Sequence, residues 1–586
     1  MKRLPFFTLV VIIILSLCVA AQAGATHKAH QGNWGNWGTL AKTKYGLVRG
    51  YHDNDLNAII WKGIPYAKPP VDELRWRAPK DPESWRGIRD ATESCSKCTQ
   101  LYTTEKWIRL NYADGSEDCL YLDIYRPATK IKNLPVYVWI HGGSNNFGGA
   151  EDYNGSILAN KANLIVVVIQ YRLGPLGWFT HPALRHGNPQ DDSGNFGTLD
   201  TIQALKWVKQ NIKAFGGNPR KVTIAGESAG SHNVTNLVIS PLAKGLFSGA
   251  ISQSGGMITN TVAAGEALAN STINKYLIED GKTWAEWETW TLEEQENYLR
   301  SMDNELLLEV LFGSIGTYGA YQDGYVVPGS VVSAIRSGDY NKVPIILGAN
   351  EYETKAFMPL YGLAVKHVWG FPTVPSSNYT WSDLIKVLDG DIPSLDDVLP
   401  TELDKDLYEI CGYYGSLNWR AKFLDERARA LREKQRNVYG YLFKWGGDSE
   451  IGSGPYPFDF IYGAGHAMEI AFFFGSDISM WEYSFSPGND TAGRQALSEA
   501  MMKYIGNFSR SGNPNGSNLP VWKKWSNRDG QPKVIIFDAD FDEPVLEMSN
   551  EEVTFDDVYS ELAAAVSGLP GNVQGLPYNF LWSIPE

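Results

Sequence analysis

The chain has 586 residues, of which 43% are hydrophobic, 12% aromatic and 20% charged, with 52 basic against 66 acidic residues and a net charge of −14. That composition supplies a large apolar core and excludes a disordered chain. The negative balance repels phosphate backbones, so nucleic acid is not an expected partner. Its 58 glycines and 30 prolines recur without a period, which excludes collagen-like and repeat architectures.

In chain order, Met1-Lys2-Arg3 gives a positive start, and an apolar run follows from Leu4 to Ala20. Ala21-Gln22-Ala23 then places small residues at the two positions that a signal peptidase reads. The pattern predicts a signal peptide over 1–23 and a secreted or periplasmic protein. The apolar run is near the lower limit for spanning a bilayer, and the cleavage site argues against a retained anchor. No second run of spanning length follows, so the mature chain is expected to have no membrane span. Residues 24–41 are polar and rich in Gly and Trp, and read as a flexible lead-in.

Once Cys18 leaves with the signal, Cys95, Cys98, Cys119 and Cys411 remain. In an oxidising compartment four cysteines permit three full pairings. Cys95-Ser-Lys-Cys98 lacks the second pair or nearby histidine of a metal site, which favours disulfide chemistry. Seven Asn-x-Ser/Thr sequons occur, among them Asn154, Asn378 and Asn507.

From Lys42 onward no linker divides the sequence. Short runs rich in Val and Ile recur at Leu134–Ile140, Leu164–Tyr171, Val222–Ala225, Val343–Leu347 and Val438–Phe443. Such runs fit buried strands of a parallel sheet. Between them, 198–215 carries an apolar helical face made by Leu199, Ile202, Leu205, Trp207, Val208 and Ile212. The alternation predicts one α/β domain over 42–550. Residues 265–310 and 375–435 look like helical insertions forming pocket walls, and 551–586 is a tail with no readable role.

The chemistry concentrates at Gly226-Glu227-Ser228-Ala229-Gly230, which a strand enters and a helix leaves. In that context Gly-x-Ser-x-Gly is a nucleophile elbow. The turn is so sharp that the flanking positions must lack bulk, and it lifts the serine hydroxyl above the sheet edge. A serine needs a base, and in this chain order acid and histidine follow it. Of the nine histidines only His232, His367 and His466 come after Ser228. His232 reads as a packed helix residue and His367 as core edge or pocket wall. His466, on a Gly-lined loop before an apolar run, is the candidate base. The acid must follow a strand between them, where Gly348-Ala-Asn350-Glu351-Tyr-Glu353 leaves Glu351 and Glu353 as alternatives. His141-Gly142-Gly143-Ser144 closes an earlier strand with small residues whose N–H groups can converge on an oxyanion. His-Glu-x-x-His is absent, and Asp538-Ala-Asp540-Phe-Asp542 lacks the Gly and distal Glu of a calcium loop. No metal or cofactor is expected.

At these residues the sequence resembles the type-B carboxylesterase and cholinesterase-like family of α/β-hydrolases. Two long segments carry the resemblance, 215–230 around Ser228 and Glu117-Asp-Cys119-Leu-Tyr-Leu-Asp-Ile-Tyr-Arg-Pro127. Looser matches run from Gly46-Leu-Val-Arg-Gly50 to Gly512-Asn-Pro-Asn515. The resemblance implies a large, mostly parallel sheet flanked by helices and a serine hydrolase acting on small-molecule esters through an acyl-enzyme. It assigns Glu353 as the acid and His466 as the base beside Ser228, with Gly143, Ser144 and Ala229 as oxyanion donors. Ser144 departs from the usual glycine, which bears on acyl preference. It also implies a Cys98–Cys119 disulfide, leaving Cys95 and Cys411 to pair or stay free. A neutral His466 base implies activity that falls below about pH 6–7. The alternatives within the family are an inactive adhesion protein and a lipase-like or choline-ester specialist, for which Trp107 lies in the relevant loop. The sequence is silent on oligomeric state.

Overall fold

The computed structural model describes residues 38–581 except 102–112, 257, 304–317, 360–373, 375, 381–382, 389, 447–456 and 477–490. The predicted signal peptide, most of the lead-in, Trp107 and His367 lie outside the described residues.

Among the described residues eleven strands build the central sheet: β1 (Tyr51–Asp53), β2 (Ala58–Pro65), β3 (Tyr121–Pro127), β4 (Leu134–Ile140), β5 (Ile165–Ile169), β6 (Gly217–Glu227), β7 (Gly249–Gln253), β8 (Ile345–Asn350), β9 (Val438–Phe443), β10 (Val534–Ala539) and β11 (Pro544–Ser549). Their spatial order is β11-β10-β9-β8-β7-β6-β4-β5-β3-β2-β1. From β5 to β10 neighbouring strands run parallel, and both flanks are antiparallel. All five predicted runs are strands of this sheet.

Parallel strands covered on both faces need apolar residues at every position, and β4 and β5 are buried throughout. Val136, Val138 and Ile140 enter one core while Tyr137 and Trp139 enter the other. The first face is covered by α1 (Phe196–Asn211) and α2 (Ala229–Ile239). The second is covered by α7 (Ala492–Ser511), through Leu497, Met501, Tyr504 and Phe508. The predicted helix over 198–215 starts earlier, at Phe196, and tightens into a 3-10 turn over Ile212–Phe215.

Two helical excursions leave the sheet. Between β7 and β8 lie α3 (Val262–Glu279) and α4 (Leu292–Ser301). Between β8 and β9 lie α5 (Glu402–Arg420), a π-helical turn (Ala421–Asp425) and α6 (Glu426–Lys434). Leu40 and Ala41, read from sequence as the end of the lead-in, already pair with Arg49 and Val48 in a small separate sheet. The tail contains α8 (Phe555–Val566), capped by Thr554. Val558 of α8 packs on Leu417 and Ala421. Among the described residues no helix is long and apolar enough to cross a membrane.

Candidate active site

Strand β6 ends at Glu227, and α2 begins at Ala229, so the whole reversal falls on Ser228. Ser228 has φ 55° and ψ −121°, a region that costs a non-glycine residue about 1–3 kcal/mol. The steric reason for the glycines is explicit. A Cβ on Gly226 would stand 2.6 Å from the Ile140 and Gly230 carbonyl oxygens. One on Gly230 would stand 2.7 Å from the His141 oxygen and closer still to that of Ile140. The Ser228 N–H donates to the Gln253 carbonyl at 3.0 Å, fixing the turn to β7.

The end of β4 adjoins this elbow, since a Cβ on Gly142 would stand 3.2 Å from the Ser228 Cβ. Gly143, Ser144 and Asn145 follow with φ of 93°, 58° for Asn145 and 55° for Ser144, all left-handed. Ser144 thus adopts the backbone a glycine would favour and turns its side chain outward, exposed. Among the described residues the Gly143 and Ser144 N–H groups serve no other acceptor. Ala229 opens a helix, where N–H groups have no intrahelical partner. Buried Asn145 locks the loop: its Nδ2 donates to the Tyr318 carbonyl at 2.8 Å, and its Oδ1 accepts from Asn233 of α2 at 2.9 Å.

After β8 the chain makes a 3-10 turn over Glu353–Ala356 that separates the two candidate acids. Glu351 pairs outward with Lys444 at 2.7 Å. Glu353 is fully buried, and its Oε2 lies 2.5 Å from His466 Nδ1. Its other oxygen accepts the Asn350 N–H at 2.8 Å. Asn350 also donates through Nδ2 to the Gly465 carbonyl at 2.6 Å and to Glu469 Oε2 at 2.7 Å. Gly348 is required because a Cβ there would collide with the Tyr441 ring.

The His466 ring lies tilted at 45° to Phe357 at 4.7 Å and meets Trp419 edge-on at 5.2 Å between ring centres. Its Nε2 lies 3.0 Å from Oε1 of Glu227, the residue just before Ser228. Burial alone would lower its pKa, but Glu227 and then Glu353 favour the charged ring and raise it well above 6.5. Burial likewise raises Glu227, opposed by His466. Glu469 is pushed up to about 8 by burial and by the neighbouring carboxylates Glu227 and Glu353. The raised His466 moves the expected acid limit upward from the unperturbed histidine range.

Glu227, Glu469, Trp419 and Phe357 were missed as site residues from sequence. Two had local signals: Glu227 adjoins Ser228, and Glu469 follows His466 by three residues. His232 is a helix residue, as expected, but is only partly buried. Cys98 and Cys119 form a disulfide, while Cys95 and Cys411 are free. Burial pushes the Cys95 thiol up to about 11. Among the described residues no group of His, Cys, Asp or Glu could hold a metal ion. Asp540 instead caps a turn by accepting the N–H groups of Asp542 and Glu543.

A parallel sheet with a strained serine at a strand-to-helix turn, and a His–Glu pair delivered from two later loops, defines an α/β-hydrolase. The profile of the Carboxylesterase family matches residues 38–383 and 400–552. A medium-chain fatty acyl-CoA hydrolase precursor from Anas platyrhynchos is 34% identical over 529 residues, covering 82% of this chain and 86% of that protein. Cocaine esterase from Homo sapiens is 35% identical over 484 residues, covering 78% and 80%. Among solved structures, a thermophilic PNB esterase superposes with a TM-score of 0.64 at 28% identity, covering 88% of this chain and 98% of that one. A carboxylesterase from Geobacillus stearothermophilus does so at 0.63 and 28%, covering 89% and 99%. The chain belongs to the carboxylesterase family and is an enzyme of that class.

Proposed function

We propose that residues 42–550 form a catalytic domain that hydrolyses small-molecule carboxylic esters through an acyl-enzyme on Ser228. The observation that carries this reading is the His466 Nδ1 to Glu353 Oε2 contact of 2.5 Å beside the strained Ser228 turn. Glu353 holds the imidazole with its proton on Nδ1, leaving Nε2 to take the Ser228 proton as the hydroxyl attacks the ester carbonyl. The N–H groups of Gly143, Ser144 and Ala229 receive the developing oxyanion. His466 then protonates the leaving alcohol. Water, deprotonated by the same ring, attacks the acyl-enzyme and releases the acid.

Ser228→Ala is expected to lower kcat by roughly 10⁶-fold, in line with triad knockouts elsewhere. An organophosphonate probe should form its adduct at Ser228, located by peptide mass spectrometry. Turnover by the variant near the wild-type rate, or an adduct elsewhere, refutes the assignment. No observation favours an inactive adhesion protein, because none of the three positions is lost. Cleavage after Ala23 and export complete the reading, and the mature N-terminus tests it.

A further inference from the structure

Two residues after Glu353 stands a lysine that is only 3% exposed. Lys355 belongs to the same 3-10 turn, Glu353–Ala356, and α5 closes over its stem: a Cβ on Gly412 would stand 2.7 Å from Lys355 Cγ. Burial lowers its pKa, opposed first by Glu409 and then by Asp459 and Glu351. A buried ion pair is a poor source of stability, because desolvation offsets the attraction and apolar residues of like volume often serve as well. What the ammonium supplies here is direction.

Three segments converge on it. Nζ donates to Glu409 Oε1 of α5 at 2.7 Å and to the Phe460 carbonyl at 3.0 Å. Phe460 lies in the short helix Phe458–Tyr462, which ends at Gly463, three residues before His466. Carbonyls in the last turn of a helix lack an intrahelical partner, and a lysine there can satisfy them. Lys355 takes the Phe460 carbonyl, and the hydroxyl of Tyr408 from α5 takes that of Ile461 at 2.7 Å. The rings of Tyr352, Phe460 and Tyr408 lie 4.3, 5.3 and 5.9 Å from Nζ, within cation–π reach.

The chain from Phe460 to His466 is stitched to the loop of the acid at two further points. The Tyr352 N–H donates to the Ala464 carbonyl at 3.0 Å, and Asn350 Nδ2 donates to that of Gly465 at 2.6 Å. The Tyr352 ring, which Nζ faces, also lies against Gly463, where a Cβ would stand 2.9 Å from it. Of these three stitches, that of Lys355 also engages α5, whose Trp419 meets the imidazole. A displacement of the short helix would therefore pass through Gly463 to His466, and Lys355 opposes it from the turn that carries Glu353.

We propose that Lys355 is a positioning residue: its ammonium clamps the turn carrying Glu353 to the helix leading into His466 and to α5, and so fixes the contact between acid and base. The proposal rests on the ester-hydrolase reading of Ser228, Glu353 and His466.

The test compares wild type with Lys355→Met, which nearly keeps the length of the side chain and removes its charge and donors. Sites are titrated to completion with a phosphonate, so rates are per competent site and loss of folded protein does not enter. The stopped-flow acylation rate at saturating p-nitrophenyl acetate should fall roughly 10- to 100-fold, as expected when a reacting group is misplaced by about 1 Å. The half-saturating concentration should stay near the wild-type value. Glu227 and Glu353 both raise His466, so a looser Glu353 should move the acid limb of the pH profile to lower pH. Lys355→Arg, which keeps charge and donors, should regain most of the rate. If Lys355→Met does not fold, Lys355→Gln, uncharged and shorter, takes its place with the same expectations. A wild-type rate per site in the uncharged variant overturns the proposal, as does a slow variant whose acid limb has not moved. So does a Lys355→Arg no faster than the uncharged variant. A merely structural role would lower the number of competent sites and leave their rate and pH limb unchanged. Wild type that turns over no ester would refute the ester-hydrolase reading instead.

Discussion

Oε1 of Glu227 lies 3.0 Å from Nε2 of His466, across the ring from the nitrogen that faces Glu353. The imidazole is thus held between two carboxylates, and both favour its charged form. In the proposed mechanism only the neutral ring can accept the Ser228 proton, so activity should be lost as pH falls through the raised histidine pKa. The acid limb of kcat/KM is expected to have its midpoint above 6.5. Glu227→Gln removes the largest raising influence and should move that limb to lower pH. A pH series at substrate well below KM measures both, and a limb that stays in place after substitution would show that Glu227 does not act on the ring.

Glu353→Gln keeps the volume of the acid but replaces a carboxylate oxygen that lies against Nδ1. By analogy with the corresponding change in another serine hydrolase, kcat should drop about 10⁴-fold with the fold intact. Stopped-flow acylation rates together with circular dichroism separate loss of chemistry from loss of structure. A variant within tenfold of wild type would remove Glu353 from its proposed role.

Gly230→Ala places a methyl against the Ile140 and His141 carbonyl oxygens. Backbone cannot yield there without moving β4, so the cost should be at the upper end of overpacking, about 3 kcal/mol. Urea unfolding gives the stability change, and phosphonate titration gives the fraction of competent sites. Unchanged values in both would contradict the close approach of elbow and strand.

The Cys98–Cys119 disulfide closes a loop with a sequence separation of 21. Chain-entropy reasoning assigns such a loop about 3 kcal/mol. Cys98→Ser with Cys119→Ser should lower the urea midpoint accordingly, and reductant should shift wild type but not the double variant.

Local pattern carried the sequence reading far where the physics is local. The Val- and Ile-rich runs are strands because a sheet covered on both faces needs apolar residues at every position. Gly226 and Gly230 announced the elbow because no other residue fits there. The choice between Glu351 and Glu353 had no local answer, since it depends on a 3-10 turn that points one toward Lys444 and the other toward His466. Phe357 and Trp419 were invisible for the same reason, as only the packed excursions bring them to the imidazole. The sheet draws strands from Tyr51 to Ser549 into one layer, and no local pattern reveals their spatial order.

The tail helix α8 has a consequence for the site. Val558 grips α5 through Leu417 and the following turn through Ala421, and Arg420 between them donates to the Glu551 backbone carbonyl at 3.1 Å. Trp419, next to Arg420 at the end of α5, is one of the two rings that meet His466. The C-terminal stretch is therefore a buttress. Prising α8 away would loosen the wall behind the imidazole without touching any group that reacts, and damage there would register as a wandering base rather than a missing one.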